Sequence, residues 1–103
     1  MITSVLEKIY NSNISYDQKT QLSSLVLATQ SLVLSSFQDC VRLQEKLQSI
    51  LISPECTDVY RRSWLSLAKN MNDTYTRNNE LLSNITKDIE DTSDLSTILS
   101  KYL

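Results

Sequence analysis

Ile50-Leu51-Ile52-Ser53-Pro54-Glu55-Cys56-Thr57-Asp58 decides the fold of this chain, because Pro54 is the only proline in 103 residues and there is no glycine at all. Glycine and proline are the strongest breakers of regular structure, so elsewhere the backbone has few places to turn. Ser53 is a good N-cap, and Pro54 suits the first helical position, where a missing N–H costs nothing. One helix therefore ends at Ile52 and another begins at Pro54, with Glu55 and Asp58 set against its positive end.

Upstream, Ser15 and Gln18 form a capping-box pair, and nothing interrupts a helix from there to Ile52. Along it Leu22, Leu25, Thr29, Leu32, Ser36, Cys40, Leu43, Leu47 and Ile50 recur at spacings of three and four, a coiled-coil seam with some polar members. Downstream, Tyr60, Trp64, Leu67, Met71, Thr74, Asn78, Leu81 and Ile85 repeat the pattern. A short amphipathic segment stands at each end. Ser4 with Glu7 caps the first, and Thr92-Ser93-Asp94 precedes the last, which carries Leu95, Ile98, Leu99, Tyr102 and Leu103.

The sequence thus predicts an all-α fold, a long antiparallel, coiled-coil-like helical hairpin in a single domain over 1–103. Its helices are expected over 4–11, 16–52, 54–91 and 94–103, the long ones roughly 55 Å each. The short helices join the hairpin at the same end and turn that end into a three- or four-helix bundle. Folding at Ser53 sets Leu47 opposite Tyr60, Cys40 opposite Leu67, Phe37 near Met71 and Leu22 near Ile85. Thr29, Thr74 and Asn78 fall near one level, a polar layer of the kind that fixes register.

Composition narrows the function. A net charge of −2 with Arg61-Arg62 as the only adjacent basic pair gives no footprint for nucleic acid, so no such partner is expected. The longest apolar run, Leu25 to Ala28, is four residues, far from the ~20 of a membrane span. No histidine is present, and two cysteines cannot make a structural zinc site, so neither a metal nor a cofactor is expected. The carboxylates Asp88, Glu90, Asp91 and Asp94 lack the glycine-bearing loop of a calcium hand. Helical chorismate mutases clamp a dicarboxylate with several cations, whereas Lys8 and Lys19 are the only cations here before Arg42. No catalytic residue is assigned and no enzymatic activity is expected.

Cys40 and Cys56 stand too far apart along the hairpin to bridge, which fits a cytoplasmic or nuclear setting. The N-terminal MITSVLEKIY has neither the basic nor the apolar region of a signal peptide. Three glycosylation sequons begin at Asn13, Asn72 and Asn84, and they supply the support for a rival reading as a secreted or luminal helical effector.

What the sequence does offer is surplus apolar surface. On the first long helix Leu27, Leu34, Val41 and Ile52 share a second face well over 90° from the seam. Near the Pro54 end, Tyr60 and the only tryptophan, Trp64, add aromatic anchors of the kind enriched in binding hot spots. Those six residues form the expected partner-binding surface. The partners would be other helical subunits or a second copy of the chain. In architecture the pattern is similar to the small helical-hairpin subunits of kinetochore, tethering and lysosome-positioning complexes, which implies a non-enzymatic subunit, adaptor or scaffold.

Overall fold

Four α-helices make up the computed structural model, which describes residues 2–103: α1 (Ile2–Tyr10), α2 (Tyr16–Leu51), α3 (Asp58–Asp91) and α4 (Ser96–Tyr102). No strand occurs among the described residues. The two long helices pack against each other with the short ones flanking them, so the all-α hairpin is the observed architecture. Contacts group the chain into two compact units, one of residues up to Ser31 with Glu80–Leu103 and the other Leu32–Asn79.

The first unit is a four-helix bundle in which each element contributes a pair of side chains to one core. Val5 and Ile9 come from α1, Leu22 and Val26 from α2, Ile85 and Ile89 from α3, and Leu95 and Ile98 from α4 and its lead-in. The pairs stand three or four residues apart, the spacing that puts two side chains on one helical face. Six of the eight are completely buried, each worth about 1.5–3 kcal/mol in transfer free energy.

Helix ends in this unit are closed by side chains. Ser15 and Gln18 bond reciprocally at 3.2 Å each, the box their spacing calls for at the start of α2. Lys8 donates to the carbonyls of Glu90 and Thr92 at 2.8 Å, so a cation meets the negative end of α3. Lys19 does the same for α1 through the Tyr10 carbonyl at 2.7 Å. Ser4 lies inside α1, which begins at Ile2. Asp94 precedes α4, its carboxylate accepting from the Ser96 amide at 3.1 Å, and the helix begins at Ser96 instead of 94.

The second unit is the hairpin proper, and here the turn departs from expectation. α3 begins at Asp58, not Pro54. The Cys56 amide donates to the Ser53 carbonyl at 3.1 Å, which makes Ser53–Cys56 a β-turn with Pro54 at its second position. Proline's fixed φ suits that position as well as it suits the start of a helix. Thr57 supplies the cap instead, its Oγ1 accepting from the Tyr60 amide at 3.3 Å. Asp58 then stands at the positive end of α3, paired with Arg61 at 3.3 Å.

Starting α3 four residues late shifts its register against α2. Phe37 meets Tyr75, ring centroids 5.7 Å apart, where Met71 was expected. The polar layer is also different. Ser36 accepts from Asn78 at 3.4 Å and donates to the Leu32 carbonyl at 2.7 Å. Thr74 is exposed and bonds Asn70 of its own helix, and Thr29 bonds the Leu25 carbonyl in the bundle unit.

Candidate docking surface

A helix pair in isolation can hide one stripe on each member. On α2 the inward residues of the hairpin unit are Val33, Ser36, Cys40, Leu43, Leu47 and Ile50; on α3 they are Trp64, Ala68, Met71, Tyr75 and Asn78. Both series alternate three and four without a break, a regular heptad. Leu32 and Leu67, expected in the seam, are therefore displaced to its flank and stand exposed. Within Leu32–Asn79 only Ser36, Leu43 and Leu47 are buried, and none of them completely. Nine large apolar side chains of the same unit are exposed, from Leu32 and Leu34 to Leu65 and Leu67.

The residues singled out for partner binding fall in different places. Leu34 and Val41, two turns apart on α2, are 57% and 36% exposed. Leu27 belongs to the bundle unit, where it lines an open cleft with Ile9, Tyr10, Tyr16 and Lys19. Ile52 is 82% exposed, but α2 ends at Leu51, so it lies in the turn and does not extend the helical stripe.

Tyr60 and Trp64 are brought together. With Val59, Ser63 and Leu67 they line an open cleft of about 410 Å³ along α3. A second cleft, of about 320 Å³, lies around the turn between Ile50, Ser53, Glu55, Cys56, Tyr60 and Trp64. The two share Tyr60 and Trp64, so both rings present surface on two sides. The first has no charged residue in its wall, and the second has Glu55 alone. Such a surface gives up its water at low cost and holds apolar side chains through contact area.

Leu67 lines the first cleft, whereas the sequence sets it in the seam. Leu67 and Leu81 make an equally regular seam with Trp64, Met71, Thr74, Asn78 and Ile85, so spacing alone does not decide between it and the seam through Ala68. On α2 there was a signal. The seam through Leu25 and Leu32 contains two consecutive steps of four, whereas Val26 and Val33 give strict alternation.

Other chemistry is sparse. Cys40 and Cys56 are free thiols. Among the described residues no group of three or more His, Cys, Asp or Glu is placed to hold a metal ion, and no helix is long and apolar enough to cross a membrane. No known family model matches the chain, and no curated protein or solved structure matches it either.

Proposed function

We propose that this chain is a non-enzymatic helical subunit or adaptor of a multi-subunit complex, and that it binds helical partners by packing them onto the hairpin unit. The observation that carries this is the contrast between the two units. The bundle has six completely buried core side chains, while the hairpin has none and exposes nine large apolar residues. A folded protein keeps that much apolar surface for a partner more often than for water. Leu34 and Val41 offer one helix face, and Tyr60 with Trp64 offers aromatic anchors beside a neutral cleft. Free thiols at Cys40 and Cys56 go with a cytoplasmic or nuclear setting.

Cross-linking with mass spectrometry on the natively purified complex tests the reading. The hairpin unit carries Lys46 and Lys69, and the bundle unit carries Lys8, Lys19, Lys87 and Lys101. Partner cross-links are expected at Lys46 and Lys69. A protein that purifies alone, or whose partners link only to the bundle lysines, would sink the proposal.

A further inference from the structure

We infer that Ser53 is a phosphoacceptor for a proline-directed serine/threonine kinase, and that its phosphate closes the cleft beside Trp64. The closing role rests on the docking function proposed above; the acceptor role does not. Pro54 is the only proline, so Ser53-Pro54 is the only site of this type in the chain. Because Pro54 lies in a turn and does not open α3, Ser53 stands outside both long helices, itself half-buried, with Ile52, Pro54 and Glu55 exposed around it. A kinase must draw its substrate into an extended form. Three local hydrogen bonds resist this at Ser53: its amide donates to the Ile50 carbonyl at 3.2 Å, its carbonyl accepts from the Cys56 amide at 3.1 Å, and its Oγ accepts from the Glu55 amide at 3.3 Å. Local opening of such a segment costs far less than unfolding a helix.

The reaction is an ordinary phosphoryl transfer from Mg²⁺-ATP. Ser53 Oγ bonds to the γ-phosphorus as the bridge to the β-phosphate breaks, ADP leaves with the bonding electrons, and the hydroxyl proton passes to the kinase's catalytic carboxylate. The product carries a charge of about −1.5 to −2. Ser53 lines the same cleft as Ile50, Cys56, Tyr60 and Trp64, so that charge sits where an apolar partner side chain would lie, beside the existing carboxylate of Glu55. Covering it would strip a dianion of water with no cation in the cleft wall to receive it. A docked partner in turn covers Ser53, so the kinase acts on the free chain and holds it free.

The purified chain, incubated with a proline-directed kinase and Mg²⁺-ATP, is expected to gain one phosphate that tandem mass spectrometry maps to Ser53, with none on Ser53→Ala. If a peptide covering 48–60 is phosphorylated while the folded chain stays unmodified at Ser53, the acceptor assignment is overturned. Nile red, a neutral dye, then probes the cleft. Binding should fall at least several-fold on phosphorylation and be lost in Trp64→Ala, with circular dichroism unchanged. Equal dye binding before and after phosphate transfer overturns the closing role and leaves partner docking intact. An unmodified chain that binds no dye overturns the cleft itself, and with it the closing role, while the mapped phosphate still decides the acceptor.

Discussion

The Tyr102 hydroxyl donates to the carboxylate of Asp88, joining α4 to the last turn of α3. Lys101 reaches the same carboxylate oxygen at 2.8 Å. Those contacts set three protonation equilibria. The hydrogen bond from Lys101, followed by that from Tyr102, holds the Asp88 carboxyl below its ordinary value. The same bond raises Lys101, and burial followed by the bond to Asp88 raises Tyr102.

Asp88 favours its charged form in the folded state, so its contribution is present above the ordinary carboxylate value and is lost as pH falls below that value through the lowered one of the folded chain. Lys101 and Tyr102 have raised values, so theirs are present at neutral pH and lost as pH rises past the ordinary lysine and tyrosine range. Urea melts of the wild type and Asp88→Asn should differ most near neutrality and converge at both extremes. A constant difference across pH would mean that the contact contributes nothing to folding.

Core and surface positions on α2 should separate cleanly. Val26 is completely buried in the bundle, so Val26→Asp should cost upwards of about 4 kcal/mol and unfold that unit. Val41→Asp, on the exposed hairpin face, should stay within about 1 kcal/mol of wild type. Thermal melts followed by circular dichroism read both. Equal unfolding by the two would make Val41 core and remove it from the docking surface.

Trp64→Ala removes one of the two aromatic residues, with Tyr60, that line both clefts. Partner affinity should fall by about 2 kcal/mol, the scale of a hot-spot aromatic, with helicity retained. Titration of the purified partner by calorimetry measures this, and an unchanged affinity would move the docking site elsewhere on the hairpin.

The start of α3 can be checked by removing each candidate cap. Thr57→Ala should destabilise by about 1 kcal/mol, as losing a helix cap does. Ser53→Ala loses a 3.3 Å bond within a turn and should cost less. Denaturant midpoints with the reverse ranking would restore Ser53 as the cap.

Much of this architecture could be read from the residues. The Ser15–Gln18 box, the short helices and the bundle they form all follow from local pattern, because capping and amphipathicity are decided within a few residues. The register of the hairpin was harder to read. Ser53 and Thr57 are both competent caps, Pro54 suits a turn or a helix start, and choosing the wrong one slides the opposed pairs along the hairpin. The docking surface inherited that ambiguity. Leu34, Val41, Tyr60 and Trp64 were visible as surplus apolar residues, but Leu67 could be placed only once Ala68 and Tyr75 were known to face inward. Deciding between two equally regular seams requires knowing what lies opposite them, and that is information about the other helix.

The bonds from Lys8 to the carbonyls of Glu90 and Thr92 span 82 and 84 residues of chain. On the ribosome, the bundle unit must wait until Glu80–Leu103 have emerged, whereas the hairpin unit needs only the continuous stretch Leu32–Asn79. Contacts between neighbours in sequence form fastest, and domains tend to fold in the order of their synthesis. The nascent hairpin would therefore emerge with its apolar flanks uncovered before the bundle can close, and under the function proposed above a partner subunit would meet this surface first.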